Sequence, residues 1–400
     1  MTMATPATGR KPAGRHPSRS VLAWWLALLG IAIGLWWLVG TPEPGAVEPR
    51  RTGEAWPLYG VAPVLVAAVV LVASYRRVHE RVAWPLLLLA GYLAAAAWTL
   101  AIAATDGALW TSVVAGSETA PPLPGRLLLG LAGSGVHGAL AATLLSLVGA
   151  LASPLAVITV RALCDELSAR RLLPVLVLAP YALVGTSVEA IALALGAATL
   201  VVAALASEKG RPGLARLALA VLCGLLLGTA ALFGYAAILL AAGAVCVFFV
   251  RRRPLLNIAT AAGFFVPLVI ARAAGLDWTE DLADALRNGD GGHRYAEGLV
   301  AAVVVLLILG GPALVASLRS MRRTPAWPLL VAGGAAVVAS VVAGILSDRL
   351  APGAWLPALP WLLVAATAPA RQGGRSVPTP LPVVAVGAAS AYALALLIAP

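Results

Sequence analysis

The sequence predicts an all-α fold, a polytopic transmembrane helical bundle of about thirteen spans. Three observations carry the prediction. First, 61% of the 400 residues are hydrophobic and 11% charged, with a mean hydropathy of +0.93. That balance excludes a soluble globular domain of this length. Second, about thirteen apolar runs can be drawn between Val21 and Ile398. Runs of roughly 17–25 apolar residues cross a bilayer as helices, because a helix satisfies its own backbone polar groups in lipid. Third, the cations alternate with the runs. With a cytoplasmic N-terminus, 21 of the 28 Lys and Arg face the cytoplasm, and about 13 of the 17 acidic residues lie at or near the outer face. Translocation disfavours cationic loops, so the bias sets membrane identity and orientation together. An outer-membrane barrel is excluded, since the runs are rich in Ala, Leu and Val and lack alternating polar residues.

The elements follow in order. Residues 1–20, with Arg10, Lys11, Arg15 and Arg19, read as a disordered cytoplasmic N-terminus, and residues 21–400 as a single transmembrane domain. Span one, Val21 to Gly40, resembles a signal sequence core. It is longer and lacks a convincing cleavage site, so it reads as uncleaved. An outer loop, 41–57, then carries Glu43, Glu48, Glu54 and Trp56. Span two (58–74) returns to Arg76, Arg77 and Arg81, and span three (83–104) leads out to a second outer region, 105–135, with Asp106 and Glu118. There Ala120-Pro121-Pro122-Leu123-Pro124-Gly125 precedes an apolar stretch, 126–135, too short to span; it reads as an interfacial helix.

Span four (136–160) meets Arg161, Arg170 and Arg171, and two compact spans, 172–187 and 189–206, join at Thr186-Ser187-Val188-Glu189. Lys209, Arg211 and Arg216 accompany spans 214–231 and 234–250, and Arg251-Arg252-Arg253 precedes a ninth at 255–274. The third outer loop, 275–296, is the most acidic stretch, with Asp277, Glu280, Asp281 and Asp284, and reads as a short helix with a solvated face. Spans 297–318, 327–346, 354–369 and 379–399 place the C-terminus outside.

The net charge of +11 resides in short loops, so it reads as topology determinants and anionic-lipid contacts and gives no ground for nucleic acid. Cys164, Cys223 and Cys246 form no CxxC and no Cys/His cluster, so neither a disulfide framework nor a zinc site is expected. His137, alone in span four, reads as a satisfied polar group. With no phosphate-cradling glycine loop, serine triad or redox motif, no cofactor is expected.

Chemistry then rests on the outer rim. Glu54, nearest the next span and beside Trp56, can act as a general base if burial or a neighbour raises its pKa; a solvated acidic loop is the other reading. Glu189 is the most membrane-embedded acid, and such a group marks a functional site or else caps span six at the interface. Arg272 and Arg349 suit an anion, since a guanidinium forks two hydrogen bonds, or snorkel to the interface.

The order of these features resembles the GT-C membrane glycosyltransferases. An acidic first loop, then Pro121-Pro122-Leu123-Pro124-Gly125-Arg126, then a span, is similar to their layout; the protein mannosyltransferase branch opens a juxtamembrane helix with His-Pro-Pro-Leu-Gly-Lys. Actinobacterial membrane proteins of this class carry Thr-His-Val-Ala-Gly-His-Pro-Pro-Gly, where this chain has Thr111-Ser112-Val113-Val114-Ala115-Gly116 and then Ala120-Pro121-Pro122. Thr186-Ser187-Val188-Glu189 resembles their Thr-Ser-Ala-Asp. Gly224-Leu225-Leu226-Leu227-Gly228, Phe233-Gly234-Tyr235, Gly275-Leu276-Asp277-Trp278, Gly311-Pro312 and Trp355-Leu356-Pro357 follow in the same order. Both signature histidines are missing, Ala120 standing at the second; glutamates replace the first-loop aspartate; and the acidic-Arg segment is reduced to Asp348 and Arg349.

The resemblance implies transfer of a sugar from a polyprenyl-phosphate donor to an envelope glycan or lipid acceptor on the extracytoplasmic side. Glu54 would be the base, Glu118 and Glu189 site-shaping acids, and Arg126 or Arg349 the phosphate contact. Partners would be lipid-linked sugar, membrane lipids and other envelope-biosynthesis membrane proteins. The alternative is an inactive relative that binds or scaffolds lipid-linked glycans, and less readily a transporter, which needs ionisable groups and broken helices at the midplane.

Overall fold

Charged turns and prolines, more than helix propensity, decide where each segment stops. The computed structural model describes residues 17–39, 61–105, 135–185, 187–287, 295–321, 324–342, 355–367 and 381–398. The described residues contain no strand. The elements are α1 (Pro17–Val39), α2 (Val61–Tyr75), a short α3 (Val78–Arg81), α4 (Trp84–Thr105), α5 (Gly135–Ala150) and α6 (Ala152–Leu163). Then come α7 (Glu166–Val177) with a 3-10 turn (Pro180–Val184), α8 (Glu189–Ala206), α9 (Gly213–Phe233), and a 3-10 turn (Tyr235–Leu240) feeding α10 (Ala241–Val250). The chain continues through α11 (Leu256–Ala273), α12 (Trp278–Arg287), α13 (Tyr295–Ser320), α14 (Trp327–Val342), α15 (Leu359–Leu363) with a 3-10 turn (Val364–Ala366), and α16 (Leu381–Ile398).

This is a multi-pass membrane protein. Among the described residues, seven helices are long and apolar enough to cross a bilayer, and four apolar helices are shorter. Trp37 is 71% exposed, Val69 68% and Ile258 70%. Surfaces that apolar belong in lipid. The two other expected spans are irregular. One is α7 with its 3-10 turn; the other, residues 355–367, is buried throughout, Trp355 and Trp361 included. Irregular backbone survives at membrane depth when protein, not lipid, surrounds it. Here the Ala365 N–H donates to Ser317 Oγ at 3.1 Å and the Thr367 hydroxyl to the Ser168 carbonyl at 3.3 Å.

Cationic turns gather at one end. Arg170 donates to the carbonyls of His79 (3.0 Å) and Val82 (2.7 Å), and Arg171 pairs with Glu80 at 2.8 Å. Arg161 lies over the Trp84 ring, 4.1 Å from its centre, and shares Glu166 with Arg170. Arg251 donates to the Ala162 carbonyl at 2.9 Å. The turns before α4, α7 and α11 are therefore tied together. The start of α1 meets the end of α13 through Arg319 and the Ser20 hydroxyl, 2.9 Å apart. Partly exposed pairs of this kind add little stability each; they orient the turns.

The span expected at 172–187 starts earlier and breaks. Asp165 caps α7, accepting from the Ser168 N–H (2.7 Å) and hydroxyl (2.8 Å), so the helix opens at Glu166. Pro180 has no N–H for the Leu176 carbonyl, and α7 ends at Val177. The Tyr181 hydroxyl donates to that carbonyl instead, at 3.0 Å. Tyr181→Phe orphans a buried acceptor and should cost about 1–3 kcal/mol, read as a lower melting temperature in detergent.

A second break lies in α13, where Gly311 has φ 57° and ψ −165°, just before Pro312. Only glycine occupies that region without strain. A Cβ there would sit 3.1 Å from Pro180 Cγ and 3.8 Å from Gly387 Cα, so the α13 break nests against the α7 break and α16. Trp25 Nε1 donates to the Leu307 carbonyl in the preceding turn at 2.9 Å. Gly311→Ala should cost about 1–3 kcal/mol in the same melting assay.

Candidate functional site

Of the expected outer turn at 186–189, Ser187 to Glu189 lie at the start of α8, and Thr186 lies outside the described residues. Val188 is the N-cap and makes no side-chain cap bond, while the Ser187 hydroxyl donates to the Val184 carbonyl at 2.9 Å. Glu189 is thus the first helical residue rather than the cap. Its Oε2 is buried and lacks a hydrogen-bond partner. The polar groups beside the carboxyl are its own amide and Ser187, and the helix N-terminus favours negative charge there.

The turn is packed between helices. A Cβ on Gly185 would collide with Thr99 Cγ2 of α4 at 2.6 Å, and one on Gly149 of α5 would sit 3.0 Å from Ala190 Cβ. Beyond Thr99, α4 continues to Thr105, roughly 9 Å at a helical rise. From Gly149, α5 reaches back to Gly135, roughly 21 Å. Glu189 therefore lies more than one helical turn in from the ends of α4 and α5 that flank residues 106–134.

The corner between α9 and its following 3-10 turn also packs here. A Cβ on Gly234 would lie 4.0 Å from Glu189 Cγ and 3.2 Å from Ala192 Cβ, so this corner touches the first turn of α8. The next residue, Tyr235, holds its ring 5.9 Å from that of Trp278, tilted by 51°. Trp278 Nε1 donates to the Ala231 carbonyl in the last turn of α9 at 2.9 Å. Asp277 caps α12, accepting from the Thr279 hydroxyl and N–H and from the Glu280 N–H, with Arg272 3.7 Å away. The Thr279 hydroxyl above all, helped by Glu280 and Arg272, holds the Asp277 carboxyl below its ordinary value.

Three segments from distant parts of the chain are thus linked in series: Ser187 to Glu189 touches Phe233 to Tyr235, which in turn packs against Gly275 to Trp278. Tyr235 and Trp278 were missed as site residues. The signal for them was their place in the ordered segments, not any chemistry legible in isolation. Glu54, Glu118, Arg126 and Arg349 lie outside the described residues. Among the described residues no three His, Cys, Asp or Glu groups are placed to hold a metal. Glu189 offers a carboxyl with an unpartnered oxygen, and the contacts that run outward from Gly234 reach the Tyr235–Trp278 pair and then Asp277 with Arg272.

No protein-family model matches the chain. No curated protein matches it either. Among solved structures it is similar to the crystal structure of ArnT from Cupriavidus metallidurans in the apo state, at 18% identity and a TM-score of 0.41. The match covers 87% of this chain and 59% of that one, so the chain spans about three-fifths of ArnT's length.

Proposed function

We propose that the chain is a GT-C-like membrane glycosyltransferase. It transfers a sugar from a polyprenyl-phosphate donor to an envelope glycan or lipid acceptor on the extracytoplasmic side. The observation that carries this reading is the series of contacts that begins at Glu189. Three segments that resemble the family separately in sequence are linked contact by contact from a buried acid oxygen outward, on the end of the bundle away from the cationic turns. Glu189 accepts or relays the acceptor's proton, and the Tyr235–Trp278 pair forms the wall beyond Gly234. Glu54 and Glu118 complete the acidic set from the outer loops, while Arg126 or Arg349 meets the donor phosphate. The donor lipid reaches Glu189 laterally between helices; no cofactor or metal is assigned.

The broken helices invite comparison with transporters, whose substrate sites lie at such breaks. Here the breaks meet through Pro180, Gly311 and Gly387, none of them ionisable, so the comparison gains no support. The deciding experiment offers labelled polyprenyl-phosphate mannose and arabinose, with cell-envelope acceptors, to the purified folded protein. Transfer supports the enzyme. Absence of transfer with every donor from protein that melts cooperatively overturns it in favour of a lipid-linked-glycan binding relative, the reading that Ala120 in place of a signature histidine favours.

A further inference from the structure

At the cationic end, an apolar cleft of about 190 Å³ opens between α2, α4 and α7, lined by Val69, Ala73, Ala90, Ala94, Leu173 and Val177. Dry apolar cavities of about this size take up small hydrocarbon guests. Val69 is exposed on the membrane-facing surface of α2 and Ala90 on that of α4, so the cleft is open to the hydrocarbon. Ser74, Val78 and His79 close its cationic end. His79 Nδ1 is buried there without a partner, and burial pushes the imidazole below its ordinary value.

Around that end stand Arg76, Arg77 and Arg81, all exposed. Arg77 holds a left-handed backbone, φ 51°, that turns the chain from α2 into α3. The acid of this turn, Glu80, is taken by Arg171 at 2.8 Å. Burial opposes its ionisation, but the hydrogen bond and charge of Arg171 outweigh that and keep its carboxyl below the ordinary value. Arg170 grips the same turn through the His79 and Val82 carbonyls. Among the described residues no acid pairs with Arg76, Arg77 or Arg81. Three exposed arginines without a salt-bridge partner among the described residues thus stand on a turn fixed from behind, and that turn's Ser74, Val78 and His79 line the apolar cleft. A phosphate matches the rim and an acyl chain the cleft.

We propose that this cleft binds an anionic phospholipid of the leaflet at the cationic end, one acyl chain between α2 and α4 and its phosphate on Arg76, Arg77 and Arg81. The site is remote from Glu189 and does not depend on the function proposed above.

The test uses full-length protein and native mass spectrometry with phosphatidylglycerol, phosphatidylcholine and acyl-free glycerophosphoglycerol. Wild type should retain phosphatidylglycerol at least tenfold over phosphatidylcholine and should not retain the acyl-free headgroup. The variant Arg76→Gln/Arg77→Gln/Arg81→Gln should lose the preference, and the control Arg252→Gln/Arg253→Gln should keep it. Equal preference in the triple variant and wild type would overturn the site, as would equal loss in the control. Headgroup retained as well as whole lipid would overturn the role of the cleft. Photoactivatable phosphatidylglycerol gives a readout on wild type alone: adducts on the peptides bearing Val69 to Ala73 or Ala90 to Ala94 support the site, and adducts confined elsewhere overturn it.

Discussion

Gly224→Leu should abolish stable folding. Residues Gly224 and Gly228 on α9 face Gly263 on α11, and the two helices meet backbone to backbone. A Cβ on Gly224 would strike the Thr260 carbonyl oxygen and come within 2.7 Å of the Phe264 nitrogen. On Gly228 it would strike the Phe264 carbonyl, and on Gly263 the Val221 carbonyl. No flexible side-chain end is available to yield, so the helices themselves must separate. Separation also breaks the bond from the Thr260 hydroxyl to the Ala220 carbonyl, 3.0 Å, in a seam where small residues and cross-helix bonds supply the association. The cost should reach about 3 kcal/mol or more, the upper part of the range for overpacked interiors. That is over a hundredfold in the unfolding equilibrium. Gly34→Ala is the control, since a Cβ there meets nothing within 4 Å; it should be neutral or stabilise by about 0.5–1 kcal/mol. Melting in detergent reads both, and a Gly224→Leu protein as stable as wild type would show that the seam can open.

That seam illustrates what the sequence shows and what it withholds. Gly224-Leu225-Leu226-Leu227-Gly228 was legible as a segment in a family-like order, but its physical role needs the opposing helix. Nothing local announces that Gly263, 35 positions beyond Gly228, stands across from it. The spans were legible because membrane length, cationic turns and prolines are local quantities. Even there, the 172–187 span was displaced. Asp165 and Ser168, three apart, signal a helix start at Glu166, and Pro180 signals the stop, whereas hydropathy alone runs through both. Glu189 stayed balanced between cap and site for a related reason. Whether the first acid of a helix serves its own N-terminus or faces a neighbour depends on what packs there, and Gly234 comes from 45 residues away. Tyr235 and Trp278 were quoted as segments yet not weighed as a pair, because their contact exists only when α12 folds back over the end of α9.

Glu189→Gln should lower sugar transfer by about 10²–10⁴-fold, the range for loss of a positioned proton acceptor. The substitution keeps shape and volume, so Ala192 and Gly234 lose no contact and melting should stay within about 0.5 kcal/mol of wild type. The expected split lies in kcat, with KM little changed, because the interaction removed grows as the acceptor hydroxyl gives up its proton. Glu189→Asp withdraws the carboxyl by one methylene and should restore part of the rate. A KM effect alone would make Glu189 a shaping acid and move the base to Glu54 or Glu118, where Glu54→Gln and Glu118→Gln then show the kcat loss. Trp278→Phe tests the wall separately: it retains an aromatic ring but deletes the bond to the Ala231 carbonyl, so α12 loosens over α9 while the carboxyl stays in place. It should raise KM more than it lowers kcat. If Glu189→Gln and Trp278→Phe are both silent while wild type transfers sugar, the series of contacts from Glu189 is architecture, and the chemistry belongs to the outer loops.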